Sequence, residues 1–150
     1  MSSLSPSEIS PGLVVRVDTE ALRAAGGSET NAQVTPQQDR AVRGVHDFLV
    51  LAVDAARGIC TAVPLFPKTA PGSSPLDRRK RAGDAAGWLE APAFFSHWQH
   101  WRIPLAALAA AAADDPGEAG ARRSFAATDA DALQDAMNWA SRNRCEFRPA

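Results

Sequence analysis

Cysteine is scarce in this chain, and net charge is nearly absent. Cys60 and Cys145 are its two cysteines in 150 residues, and the formal charge is −1. Cys60 falls in the apolar run Ile59 to Val63, where a thiol is expected to be buried, and Cys145 follows Arg142 and Arg144. Cysteines so placed build neither a disulfide framework nor a metal site, which suits a reducing compartment. A charge this close to zero advertises no polyanionic partner for the chain as a whole, so any nucleic-acid surface has to be local. The N-terminus, MSSLSPSEIS, has neither the basic region nor the apolar stretch of a secretory leader. No run approaches the ~18 apolar residues of a membrane span; the alanine run Ala106 to Ala113 is shorter and ends in Asp114-Asp115. The expectation is therefore a cytoplasmic protein with no membrane partner. Internal repeats, a Gly-rich phosphate loop, a G-x-S-x-G elbow and a cysteine placed before a suitable histidine are also missing, which removes the common nucleotide-binding and acyl-transfer classes.

What is present is the composition of a folded domain, 45% hydrophobic and 22% charged. At this length one core is expected, not two. Fourteen arginines stand against two lysines, beside abundant alanine, an imprint of a GC-rich genome more than of function.

Residues 1–11 are rich in Ser and Pro and read as a flexible tail. Leu13 to Val17 is β-branched and reads as a strand. Residues 19–46 form a long polar connection with a short helix at Glu20 to Ala25; such a connection is a functional loop or partly disordered. Phe48 to Val53 is a continuous apolar strand, so both its faces should be covered. Asp54 to Gly58 turns the chain, and Ile59 to Leu65 returns as the next strand. Residues 67–83 hold Pro67, Pro71 and Pro75 and read as a loop. Trp88 to Phe95 and Gln99 to Ile103 read as short strands, with Pro92 demanding an edge or a bulge. Pro104 to Ala113 is a helix by propensity, and residues 114–120 an acidic linker. A last helix starts at a Thr128 cap and carries the stripe Leu133, Ala136, Met137 and Ala140. The domain plan is one unit: tail 1–11, barrel 12–104, helical C-terminal part 105–148.

Three stretches then line up with a known pattern: Pro11-Gly12-Leu13-Val14-Val15-Arg16-Val17-Asp18, Arg43-Gly44-Val45-His46-Asp47-Phe48-Leu49-Val50-Leu51, and Gly58-Ile59-Cys60-Thr61-Ala62-Val63-Pro64. A glycine-led strand, a long loop, a cation before an apolar strand, a Gly turn and a strand ending in Val-Pro together resemble the PemK/MazF-like toxins. The likeness covers roughly residues 11–66 and continues loosely through Trp101 to Leu108. It implies an α+β fold, a small SH3-like β-barrel with a C-terminal helix, and a homodimer. It also implies metal-independent cleavage of single-stranded RNA, without cofactor, by the toxin of a toxin–antitoxin pair held in check by its cognate antitoxin. The family pattern opens the second strand with Arg-Pro and places Ser or Thr soon after Val-Pro. Here His46-Asp47 stands at the first place, with Arg43 three residues earlier, and Leu65-Phe66 follows Val63-Pro64. The nearest hydroxyls are Thr69, Ser73 and Ser74.

Cleavage through the 2′-hydroxyl needs a group to take its proton, a group to protonate the leaving oxygen, and positive charge on the phosphorane. Arg43 offers a permanent cation with a bidentate fork. His46 offers an imidazole, the side chain suited to proton transfer near neutral pH. Thr69 offers a hydroxyl to a phosphate oxygen or a water. The plainer alternative is that His46 is a turn histidine and Arg43 a solvated loop residue. Lys68, Arg78, Arg79, Lys80 and Arg81 stand against Asp77 alone, a local charge of +4. The knot Arg78, Arg79, Lys80 and Arg81 would contact RNA phosphates irrespective of sequence, or else solubilise the loop or dock an acidic partner. His97 and His100 lack a carboxylate or thiolate to complete a metal shell, so no metal is expected. Trp98 and Trp101 could stack on bases, but packing against a barrel is the commoner use of such tryptophans. The rival readings are a non-catalytic barrel that binds RNA or a protein, and an immunity or regulatory protein.

Overall fold

The computed structural model describes residues 4–32, 41–69, 73–76, 81–83, 92–96, 99–112, 123–125, 133–134, 138 and 147–150. Its centre is the hairpin that the apolar runs predict. β3 (Val45–Asp54) and β4 (Ile59–Phe66) pair antiparallel from Phe48↔Pro64 to Asp54↔Ile59. The turn between them is closed by Gly58 N–H donating to Ala55 O at 3.3 Å and Arg57 N–H donating to the Asp54 carboxylate at 3.2 Å. Gly58 has φ +67°, a conformation that side chains with a Cβ resist.

Around this hairpin stand β1 (Leu13–Asp18), β2 (Glu29–Thr30), β7 (Phe94–Ser96), β8 (Trp101–Pro104), β9 (Arg123–Phe125) and β10 (Arg148–Pro149), with short β5 (Ser73–Pro75) and β6 (Arg81–Gly83). The order is β10-β2-β8-β4-β3-β1-β9-β6, and β7 adds to the far end of β4 with β5 beside it. Every pairing among the described residues is antiparallel. With α1 (Thr19–Ala25) and α2 (Leu105–Ala111), the chain is an α+β fold. The sheet is not closed into a barrel: its terminal strands β10 and β6 share no register among the described residues.

Both faces of the hairpin are covered, as its unbroken hydrophobicity requires. Phe48, Val50, Cys60 and Ala62 lie in one buried cluster with Val15, Val17, Leu22, Trp101, Ile103 and Leu108, under α1 and α2. Leu49, Leu51, Val63 and Leu65 lie in a second cluster with Val14, Leu76, Ala93, Phe95 and Leu133. The alternation survives one irregularity. Val50 pairs Ala62 but Ala52 pairs Thr61, so Leu51 is an extra, bulged residue. The bulge switches parity and lets Val53 join its partner Cys60 on the first face.

Several expectations need correction. Residues 4–11 are anchored at Leu4 and Ile9 instead of trailing as a tail. Ser5 and Glu8 form a reciprocal capping box on the 3-10 turn Pro6–Glu8, and Leu4 and Ile9 are buried in the first cluster. The stretch 67–83 is not all loop: β5 pairs β7 and β6 pairs β9. Pairs of three residues leave no period-2 pattern to read, and prolines are tolerated at an edge, where Pro75 ends β5. The strand predicted from Trp88 begins at Phe94 in the described part. Gln99 and His100, expected within a strand, precede it. Of the last helix, Leu133, Gln134 and Asn138 have helical backbone, and Gln134 donates to Asn138 at 3.1 Å. Leu133 is buried against the second face. Thr128, Ala136, Met137, Ala140 and the acidic linker 114–120 lie outside the described residues.

Cys60 is a free, buried thiol as anticipated. Loss of solvation pushes it up from 9.0 to about 12, because the thiolate has no water around it. In a Cys145→Ser background, Cys60 is expected to resist a thiol reagent at about pH 8 while folded and to react fully in denaturant. The unfolded thiol ionises first, so folding stability should fall as pH rises from 9.0 towards about 12 and be indifferent to this group below that window. Rapid labelling of the folded protein would show that the first cluster opens.

Candidate functional site

The site is built on the segment just before β3. Asp18, the last residue of β1, accepts from Glu20 N–H at 3.0 Å and caps α1. This turns the chain so that Thr19, Glu20 and Arg23 face residues 42–44. Thr19 holds Gly44 O twice, through its backbone N–H at 2.9 Å and its hydroxyl at 2.7 Å. Gly44 itself has φ +70°, which the bend into β3 demands. Arg23 donates to Val42 O at 2.8 Å and to the Thr19 hydroxyl at 3.2 Å. From the other side, Gln99 Oε1 accepts from Val42 N–H at 3.1 Å and from the Trp101 indole N–H at 2.9 Å. Both backbone neighbours of Arg43 are therefore fixed by buried or half-buried partners.

The Arg43 side chain is 74% exposed. Its guanidinium lies 3.5 Å from the Glu20 carboxylate, whose other oxygen is 3.1 Å from Arg23. Arg23 is held below the usual arginine range, first by burial and then by the like charge of Arg43, with Glu20 opposing both. The Arg23 guanidinium also covers the Trp101 ring at 5.5 Å, a cation–π contact.

His46 is half-buried on β3 opposite Val17 of β1. Its ring meets Phe66, the last residue of β4, edge-on at 5.9 Å and 66°. The two ends of the hairpin thus close on each other where the sequence places the site. Thr69 lies three residues beyond Phe66 and is exposed; its hydroxyl approaches that of Ser73 at 3.4 Å. Among the described residues Thr69 makes no hydrogen bond to Arg43 or His46. Directly after Val63-Pro64 stand Leu65, buried on the second face, and Phe66, against the imidazole.

Of the basic knot, Arg78, Arg79 and Lys80 lie outside the described residues. Arg81 opens β6 opposite Phe125. Trp101 is fully buried, packed edge-on against Phe48 at 5.6 Å, so it is a core residue and not a surface for bases. Trp98 and His97 lie outside the described residues. His100 is fully buried, its backbone N–H donating to Asn31 at 2.7 Å and its carbonyl accepting from the Thr30 hydroxyl at 2.9 Å. No group of three or more His, Cys, Asp or Glu side chains that could hold a metal gathers among the described residues, and no helix there is long and apolar enough to cross a membrane.

Sequence reasoning passes over Thr19, Glu20, Arg23 and Gln99, which set the geometry of residues 42–44. The i,i+3 pair Glu20–Arg23 is open to reading as a helix-surface ion pair, but nothing local ties it to a residue nineteen positions away. Comparison of this chain with protein-family models, with curated proteins and with solved structures finds no match.

Proposed function

We propose that this chain cleaves single-stranded RNA without metal, as the toxin of a toxin–antitoxin pair does, on an SH3-like elaboration of its antiparallel sheet. The observation that supports it most directly is the meeting of His46 and Phe66 at one end of the β3–β4 hairpin, with Arg43 held on a clamped backbone three residues away. In this reading a phosphodiester lies over that end. Arg43 binds its non-bridging oxygens and stabilises the charge of the phosphorane. His46 takes the 2′-hydroxyl proton, and the imidazolium so formed delivers it to the departing 5′ oxygen. The 2′ oxygen bonds to phosphorus, the bond to the 5′ oxygen breaks, and the products carry a 2′,3′-cyclic phosphate and a 5′-hydroxyl. Thr69 contacts a phosphate oxygen at the rim. A cytoplasmic setting, a homodimer and a cognate antitoxin belong to the same proposal.

The test is incubation of mixed-sequence single-stranded RNA with the purified chain in chelator, scored for cyclic phosphate ends. Absence of cleavage over a broad panel at high protein concentration overturns it. One observation favours a second reading, a non-catalytic module that binds RNA or protein: Leu65 and Phe66 occupy the hydroxyl position. Binding without cleavage is its signature.

The basic knot is expected to raise affinity without setting sequence preference. Replacing Arg78, Arg79, Lys80 and Arg81 by alanine should weaken all single strands alike. It should also lower the slope of log K against log salt, by about 0.7 for each phosphate that is no longer neutralised. Unchanged binding at low salt would return the knot to a solvated loop.

A further inference from the structure

We propose that Glu20 occupies Arg43 in the free protein and is exchanged for an RNA phosphate on binding, Arg23 retaining the displaced carboxylate. This deepens the reading of Arg43 as the phosphate-binding residue and rests on it. Glu20 stands on the first turn of α1 and reaches two guanidiniums, one oxygen to each. The two contacts differ in kind. That to Arg23 is 3.1 Å long, and the Arg23 side chain is only 14% exposed and anchored by Val42 O and Thr19. That to Arg43 is 3.5 Å long, between side chains that are 53% and 74% exposed.

A long pair between solvated groups contributes little and is readily broken. A phosphodiester offers the same guanidinium a shorter, bidentate contact, so it displaces the carboxylate. Glu20 is not left uncompensated by the exchange, because Arg23 holds it already. Of the neighbouring carboxylates, Asp18 caps α1, and Asp47 lies within β3, opposite Arg16 in the β1–β3 register. Glu20 is thus the acid set to compete at this position. It lowers the affinity of Arg43 for weak anions and leaves a polyanionic strand to win.

The test measures binding, with a mixed-sequence 2′-O-methyl single strand that cannot be cleaved through its own hydroxyl, followed by fluorescence anisotropy at low salt. Glu20→Gln should bind about two- to five-fold more tightly than the wild type, the scale of one exposed ion pair, and the gain should vanish in an Arg43→Ala background. Glu20→Asp keeps a charge on the first turn but shortens its reach, so it should show part of the gain with an unchanged melting temperature. Equal or weaker binding by both variants, or a gain that persists without Arg43, overturns the exchange. An Arg43-dependent gain in Glu20→Gln, beside a wild-type chain that cleaves no unmodified RNA, sinks the catalytic reading alone. Cleavage by a chain whose Glu20 variants bind no tighter sinks the exchange alone.

Discussion

His46→Ala is expected to slow cleavage of single-stranded RNA by about 10²–10⁴-fold, the usual cost of removing a proton-transfer group, with little change in melting temperature. The structural cost should be small because the ring is half-buried and, among the described residues, its aromatic contact is the edge-on meeting with Phe66 at 5.9 Å, worth about 0.5–1.5 kcal/mol. Arg43→Ala should lose about 10²–10³-fold through missing charge stabilisation and even less stability, its side chain being 74% exposed. If both groups act on one phosphate, the double variant should lose less than the product of the single losses, since residues that work as a unit are not additive. Cleavage that persists unchanged in the double variant would keep the reaction and discard this site. Loss of folding in His46→Ala would instead make the histidine a packing residue of the β3–β4 hairpin end.

How far such a site is legible in a sequence depends on the range of the interactions that make it. The β3–β4 hairpin is legible because its signals are local: two apolar runs, an Asp-led turn and a glycine that must take φ +67°. Which runs face which layer is less so, because the bulge at Leu51 inverts the parity that a simple alternation predicts. The α1 helix is visible in its cap and spacing, but its purpose is not. Arg23 reaches Val42 across nineteen positions and Gln99 reaches the same residue from the other direction across 57. Leu4 and Ile9 fail for the opposite reason: in a Ser- and Pro-rich stretch two isolated apolar residues carry no period, yet the fold buries both.

Trp101→Ala is expected to cost about 3–5 kcal/mol, which is a large share of the roughly 5–15 kcal/mol that holds a domain of ordinary stability together. Trp101 is fully buried and lies among the largest side chains of the first cluster. Its removal ends the edge-on pair with Phe48 at 5.6 Å, the stacking of the Arg23 guanidinium over its ring at 5.5 Å, and the indole N–H bond to Gln99 at 2.9 Å. The cavity therefore opens directly beneath the clamp on residues 42–44, since Arg23 and Gln99 are the partners of Val42. Trp101→Phe separates the two roles. It restores most of the volume but removes the indole donor to Gln99, a buried hydrogen bond worth about 0.5–1.5 kcal/mol. Denaturant unfolding should accordingly rank wild type above Trp101→Phe and both above Trp101→Ala, with an unchanged m-value for the phenylalanine variant. Because that variant stays folded while the Gln99 side of the clamp loosens, its RNA affinity should fall more than its stability alone predicts, as Arg43 is no longer presented from a fixed backbone. A Trp101→Ala protein that unfolds within about 0.5 kcal/mol of the wild type, the range of a surface substitution, would mean that Trp101 is not the centre of this core. Trp101→Phe with unaltered affinity would mean that Gln99 and Arg23 fold residues 42–44 without presenting Arg43 to RNA.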